Sequence, residues 1–159
     1  MATLRVETMV NAPASRCFDL SRSIDLHIRT ATASGETAIA GTLSGLLGLG
    51  DQVTWRGKHF GVWQTLTSKI TAFDRPRHFR DSQVAGAFAS LEHDHLFESA
   101  GSMTNMIDVF QYAAPLGPLG RVAEMLFLNS YLRRFLRERA LIIKRVAESD
   151  EWKLYAPAA

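Results

Sequence analysis

Two histidines one residue apart, His93 and His95, are the residues of this sequence best suited to chemistry. Alternate side chains of a β-strand point to the same face, so the two imidazoles of such a pair lie side by side. A carboxylate from a neighbouring strand, Asp108, can accept a hydrogen bond from one of them. Three interpretations stay open: a buried network that fixes strand pairing, a polar anchor for a bound molecule, or a site of metal binding or acid–base chemistry.

The pairing of the strands decides which side chains meet. If residues 99–102 form the turn of a hairpin, His93 lies opposite Asp108 and His95 lies opposite Met106. One face of the hairpin then carries eight residues, namely Leu91, His93, His95, Phe97, Thr104, Met106, Asp108 and Phe110. Most of these side chains are apolar, so we expect this face to point into the protein.

The preceding strand adds polar groups to the same surface. If Phe79 points inward, Asp81 and Gln83 do so too, whereas a shift of one residue would bury Arg80 and Ser82 instead. With the first pairing, a few polar side chains converge on an apolar wall. That combination is what a small-molecule pocket needs to orient its ligand.

Neither a metal nor any other cofactor is predicted. The spacing His93-x-His95-x-x-Glu98 is weakly similar to a cupin metal motif, but Glu98 falls on the opposite face of the strand. No histidine follows His95, so a carboxylate from elsewhere would have to complete a site.

A second aromatic and polar group is found at a glycine-bounded connection. His59, Phe60 and Trp63 lie at or just beyond a segment that begins at Gly57 and ends at Gly61. Packing of the turn is one interpretation, and lining of a pocket mouth is the functional alternative.

Other catalytic signatures are missing from the sequence. The glycine-rich segment 41–50 has no Lys-Ser/Thr after it and no third glycine in register, which excludes a P-loop and a dinucleotide fingerprint. The Gly-x-Ser-x-Gly nucleophile motif is absent. Cys17, beside Phe18 and Leu20 in an apolar pattern, is expected to be a buried small side chain.

Composition is typical of a single globular domain. The chain has 159 residues, of which 47% are hydrophobic and 21% charged. A net charge of +2 is too small to indicate nucleic-acid binding. The single cysteine excludes an internal disulfide, and neither a signal peptide nor a stretch able to span a bilayer is found. We therefore expect a cytoplasmic protein without stable membrane insertion; its oligomeric state stays open.

The order of elements is strand, two short helices, six strands and one long helix. Residues 3–10 and most of 51–113 alternate as strands do, and Pro13 suits the start of a helix. Apolar residues recur mostly three or four apart through 118–148, at Val122, Met125, Leu128, Leu132, Phe135, Leu136, Ile143 and Val146. We expect the arginines between them to face solvent. A long helix against antiparallel strands suggests a sheet that wraps around a helix and leaves a cavity.

The chain resembles the START-like superfamily, which has the helix-grip fold and includes polyketide cyclase/dehydratase-like proteins, coenzyme Q-binding proteins and allergen-like ligand carriers. Local likeness is strongest in a bacterial branch, at 50–56 (GDQVTWR), 75–83 (RPRHFRDSQ), 93–97 (HDHLF), 106–108 (MID) and 115–120 (PLGPLG). The resemblance implies an α+β fold with a curved seven-stranded antiparallel sheet around the C-terminal helix and two short helices after strand 1. It implies one ligand-binding domain over 1–150, followed by a tail at 151–159.

Three functional hypotheses result. The first is a binder of a hydrophobic or aromatic small molecule, held between sheet and helix. Its expected ligand-binding residues are Asp81, Gln83, Leu91, His93, His95, Phe97, Met106, Asp108, Phe110, Met125, Leu128 and Leu132. The second is an enzyme of the polyketide cyclase/dehydratase type, with His93 and Asp108 as candidate catalytic residues. The third is a protein-interaction module that uses the basic helix face or the glycine-rich loop.

Overall fold

The alternating patterns of the sequence form strands. The computed structural model describes residues 1–157. Seven strands lie in this range, namely β1 Ala2–Val10, β2 Thr37–Gly41, β3 Gln52–His59, β4 Val62–Asp74, β5 His78–Gly86, β6 Ser90–Ala100 and β7 Met103–Ala113. All neighbours pair antiparallel, in the order β1-β7-β6-β5-β4-β3-β2. The predicted α+β class with a seven-stranded antiparallel sheet is therefore confirmed.

The sheet is curved, and irregular pairing contributes to the bend. The register shifts between Ala38 and Ala40 where β2 meets β3, and at two further points where β4 meets β5. An extra residue on one strand bends that strand and increases its twist. The shifts on the β2–β5 side therefore help that half of the sheet to curl.

Two short helices follow β1, as predicted. They are α1 Ala14–Ser21 and α2 Ile24–Thr30. The side chain of Ser23 caps α2 by accepting a hydrogen bond of 3.3 Å from the backbone N–H of Leu26. Cys17 on α1 is fully buried, and burial raises the pKa of its thiol to about 11, which keeps it protonated.

The predicted C-terminal helix is confirmed, with one irregularity. It consists of α3 Pro118–Ala123, a π-helical turn Glu124–Leu128 and α4 Asn129–Ala147. The backbone stays in the right-handed helical region at both junctions, so the three pieces are continuous. The buried residues of α4 are spaced three or four apart and comprise Leu132, Leu136, Ala140, Ile143, Val146 and Ala147.

The π-helical turn changes which side chains face inward. A π-helix bonds each residue to the one five positions along, so the turn rotates the apolar stripe relative to a regular helix. Met125 and Leu126 are 79% and 73% exposed, whereas Leu128 faces the interior. Regular helical spacing predicts Met125 on the inner face as a ligand-binding residue. This prediction is wrong, because Met125 faces solvent in the structure.

The hairpin of β6 and β7 differs from its predicted pairing by two residues. The turn contains only Gly101 and Ser102, and a φ of 65° at Gly101 suits the first position of a tight hairpin turn. His95, rather than His93, therefore lies opposite Asp108. Because the shift is an even number, all eight predicted residues still share one face.

Residues 151–157 of the predicted tail 151–159 pack against the rest of the protein, while 158–159 lie outside the described residues. The short helix α5, Trp152–Tyr155, contacts α1, where the guanidinium of Arg16 lies 4.3 Å from the ring of Trp152. Within residues 1–157, no helix is both long enough and apolar enough to cross a membrane.

Candidate functional site

A cavity of about 450 Å³ lies between the sheet and the C-terminal helical segment. Its apolar wall comes from both sides: Leu66, Ile70, Phe79, Leu91 and Phe110 from the strands, and Leu128, Leu132, Phe135 and Leu136 from the helix. This volume falls in the range of cavities that bind drug-sized molecules.

Exposed apolar residues mark the mouth of the cavity. Phe60 sits in the β3–β4 turn with a φ of 51°, and its ring packs against those of Phe127 and Tyr131, with centroids 5.5 and 4.5 Å apart. Leu116 and Leu119 also line the cavity, although they are 78% and 73% exposed. The mouth therefore combines the β3–β4 turn with the segment that enters the long helix.

Four polar side chains from three adjacent strands form what we call the β6 cluster: Asp81, His93, His95 and Asp108. His93 Nε2 donates to Asp108 Oδ1 at 2.9 Å, and His95 Nε2 donates to Asp81 Oδ2 at 2.9 Å. His95 Nδ1 lies 3.0 Å from Asp108 Oδ1. Both histidines are buried, and each imidazole has a carboxylate as its hydrogen-bond partner.

The pKa values of the two histidines shift in opposite directions. Burial lowers the pKa of His93, the nearby His95 lowers it further, and Asp108 only partly opposes them, so His93 is neutral at pH 7. Burial also acts to lower the pKa of His95, but Asp108 and Asp81 outweigh it and raise the value. Burial alone would raise the pKa of both carboxyl groups, yet their imidazole partners keep each pKa below its ordinary value. With its Nε2–H given to Asp108, neutral His93 keeps a lone pair on Nδ1.

Four further residues, His27, Glu36, His59 and Tyr131, form what we call the Glu36 cluster. Glu36 accepts from His27 Nε2 at 2.8 Å and from His59 Nε2 at 3.0 Å. His59 Nδ1 lies 2.6 Å from the hydroxyl of Tyr131. Burial opposes ionisation, but the hydrogen bonds from the two imidazoles lower the pKa of Glu36 to about 2. A second charged group thus lines the same cavity.

One arginine of α4 also reaches the cavity. Arg139 donates to the carbonyl oxygen of Ser21 at 2.9 Å, and no partner within residues 1–157 reaches its buried Nε. Burial and then the charge of Arg139 lower the pKa of His27. The expectation that the helix arginines face solvent is therefore wrong for this residue.

Solved structures of other proteins share this arrangement of sheet and helix. The ZhuI aromatase/cyclase from Streptomyces sp. R1128 superposes with a TM-score of 0.74 at 13% identity, over 99% of this chain and 98% of its own. A protein from Thermus thermophilus gives 0.71 at 14% identity, over 92% and 99%. Major latex-like protein 151 from Panax ginseng gives 0.66 at 17% identity, over 93% and 98%. The chain has the START-like helix-grip fold.

The helix-grip fold is evident from structural similarity and not from sequence similarity. No family model matches the sequence, and no curated protein matches it significantly. At these levels of identity, structural similarity shows a shared fold and does not show a shared function. The site must therefore be judged from its own residues.

The helix-grip fold brings many of the predicted site residues together at the cavity wall. Those that line it are Asp81, Leu91, His93, His95, Phe110, Leu128 and Leu132. Asp108 lies behind the two histidines and contacts both of them. Phe97 and Met106 are buried in the core. Gln83 instead donates from Nε2 to the backbone oxygen of Phe88 at 2.9 Å, where it supports the turn between β5 and β6.

Among the polar cavity residues that sequence reasoning missed are His27, Glu36 and Arg139. His27 lies on α2 and Glu36 immediately precedes β2, so no local pattern links them to His59. A signal did exist for Arg139, because it lies three residues after Leu136 and four before Ile143, on the buried stripe of α4.

Proposed function

We propose that this protein binds or carries a hydrophobic or aromatic small molecule in the cavity between its sheet and its C-terminal helix. The observation that supports the proposal is the open volume of about 450 Å³ behind an apolar wall. A fold stabilised only by packing would fill this space with side chains, because protein interiors are close-packed.

The polar groups indicate the kind of ligand. A molecule with an apolar body would contact the leucines and phenylalanines of the wall, whose burial from water favours binding. One polar end could then meet the β6 cluster, and a second could meet Arg139 or the Glu36 cluster. A rigid or aromatic compound with oxygen groups at its ends fits this distribution of partners.

The direct test is native mass spectrometry of freshly purified protein, followed by organic extraction of the same sample. We expect a stoichiometric small molecule with an apolar skeleton and at least one oxygen substituent. If neither a co-purified molecule nor saturable binding of an apolar fluorescent probe is detected, the proposal fails.

A bulky side chain at the mouth should weaken binding without damage to the fold. Ala123 lines the cavity at the end of α3, while its neighbour Val122 is 51% exposed and lies outside the lining. We expect Ala123→Trp to weaken binding of the probe by at least about tenfold, which corresponds to about 1.4 kcal/mol. Val122→Trp adds the same indole beside it and should leave affinity unchanged. Equal affinities for both variants would contradict the proposed site.

A second candidate function, supported by the His93–Asp108 pair, is an enzyme of the cyclase/dehydratase type. The pair fixes the imidazole in one tautomer, and His93 is in the cavity lining, where a carbonyl compound could reach it. Under this hypothesis His93 accepts a proton from a polyketide-like substrate and Asp108 positions the ring.

This alternative predicts a loss of turnover that is separate from binding. His93→Gln should lower the rate with a poly-β-ketone substrate by about 100-fold or more, the usual worth of a general base, with little change in ligand affinity. His78→Gln, a change on the outer side of the sheet where His78 pairs with Asp94, serves as the matched control. Undiminished turnover in His93→Gln would rule out this role.

A further inference from the structure

Three side-chain atoms of the β6 cluster converge at one point of the cavity wall. Asp81 Oδ2 lies 2.9 Å from His95 Nε2 and 3.9 Å from His93 Nδ1, and the three residues each offer a ligand atom within 4.8 Å of those of the other two. A metal ion with bonds of about 2.0–2.1 Å holds its ligand atoms roughly 2.9–3.4 Å apart. Small side-chain adjustments would therefore bring all three atoms into a first coordination shell.

The strand register explains this convergence. Asp81 lies directly opposite His93 across the β5–β6 pair, and His95 follows two residues along the same face of β6. Three donors from two adjacent strands are thus positioned by backbone pairing, which is more rigid than a loop.

The opposite nitrogens of both imidazoles are already occupied by one carboxylate. Asp108 Oδ1 lies 2.9 Å from His93 Nε2 and 3.0 Å from His95 Nδ1. In metalloproteins, a histidine ligand almost always donates its other N–H to such an acceptor, which fixes the tautomer and directs the free lone pair at the metal. The rings are also held from the side, since Phe79 stacks on His95 with centroids 4.2 Å apart.

We propose that Asp81 Oδ2, His93 Nδ1 and His95 Nε2 bind a divalent first-row transition-metal ion. The ion takes the place of the proton that His95 Nε2 shares with Asp81. Two imidazoles and one carboxylate suit zinc, iron(II) or cobalt(II) better than calcium or magnesium, which prefer oxygen ligands. This inference does not depend on the proposed carrier function, because the metal can be tested alone.

The charges around the site are compatible with a cation. Asp81 and Asp108 contribute two negative charges, and Arg139, which lines the same cavity, contributes one positive charge. All three proposed ligands line the cavity, so further coordination positions open toward the organic ligand. An oxygen atom at the polar end of that ligand, such as a phenolate, carboxylate or carbonyl, would complete the coordination shell.

The test uses untagged, full-length protein treated with EDTA and then dialysed. Cobalt(II) is added while visible absorption is recorded, and zinc(II) is titrated by calorimetry. We expect one ion per chain. Asp81→Asn should weaken metal binding by more than roughly 10–100-fold. That range is the usual loss when a residue that only hydrogen-bonds to a metal ligand is mutated, whereas Asp81 is proposed to be a ligand itself. Two controls should keep wild-type affinity: His59→Gln, which changes the Glu36 cluster in the same cavity, and His78→Gln on the outer face.

A second measurement needs no variant. Nitrogen-15 shifts of the histidine rings should change at His93 Nδ1 and His95 Nε2 when one equivalent of zinc(II) is added, and those of His27 and His59 should not. The inference is overturned if no saturable binding occurs, if Asp81→Asn binds as well as wild type, or if His59→Gln alone abolishes binding.

Discussion

Asp108→Asn is expected to lower the free energy of unfolding by roughly 3 kcal/mol or more, the range found when one partner of a buried ion pair is removed. Asp108 accepts a hydrogen bond from His93 and lies 3.0 Å from Nδ1 of His95, whose pKa it helps to raise. Asparagine keeps the size of the side chain but removes the negative charge. In its protonated form, His95 would then keep only Asp81 as a countercharge.

A double-mutant cycle can show whether the lost stability comes from the contact between Asp108 and His95. His95→Gln removes the imidazole that faces Asp108, so Asp108→Asn should cost at least about 1 kcal/mol less in that background than in the wild type. Urea unfolding at pH 7 in the presence of EDTA gives both values without interference from metal ions. Two costs that add independently would show that His95 and Asp108 are not coupled.

A matched surface change checks that the effect belongs to the buried network. Asp74 pairs with Arg77 at the end of β4, where their side chains are 54% and 76% exposed. Exposed pairs of this kind contribute roughly 0–1 kcal/mol, so Asp74→Asn should leave the unfolding midpoint almost unchanged. A large loss from Asp74→Asn would mean that any lost carboxylate destabilises this fold.

The face of each strand could be predicted from the sequence, but the register could not. Side chains alternate with a period of two, so any pairing of β6 with β7 that differs by an even number of residues keeps His93, His95 and Asp108 on one face. The register depended on the turn, and Gly101 permits a two-residue connection that the sequence pattern alone did not select. The predicted direct opposition of His93 and Asp108 was therefore wrong, although their contact is present.

The irregular part of the helix could not be predicted, because a π-helical turn leaves no periodic pattern of its own. Regular spacing carried Met125 onto the inner stripe, whereas the turn at Glu124–Leu128 rotates it outward. Glu124 is buried there and accepts a hydrogen bond from the backbone N–H of Ala114 at 2.6 Å. That contact joins the helix to the end of β7, and it depends on tertiary structure rather than on local sequence.

The Glu36 cluster could not be predicted from the sequence either, since its members meet only after the chain has folded.

The Glu36 cluster also leads to a prediction about stability in acid. The pKa of Glu36 is about 2 in the folded protein against an ordinary value of 4.5, and its side chain is only 12% exposed. Such a difference corresponds to roughly 3 kcal/mol of stabilisation by the ionised form.

The sign of the pH dependence follows from that depressed pKa. Between pH 4.5 and 2 the unfolded chain binds a proton at Glu36 while the folded protein does not, so acid favours unfolding. The stabilisation is complete above pH 4.5 and is lost as the pH falls toward 2. Glu36→Gln cannot titrate, so the difference in unfolding free energy between wild type and variant should be largest above this window and shrink as the pH falls through it.

Urea unfolding at a series of pH values from 6 to 3 measures this difference directly. Other acidic groups, including Asp81 and Asp108, are present in both proteins and cancel in the subtraction. Glu138→Gln, a change at a side chain that is 50% exposed on α4, should give a difference that stays flat over the same range. If the wild type and Glu36→Gln lose stability in parallel as the pH falls, Glu36 is not held ionised by His27 and His59, and the Glu36 cluster does not stabilise this side of the cavity.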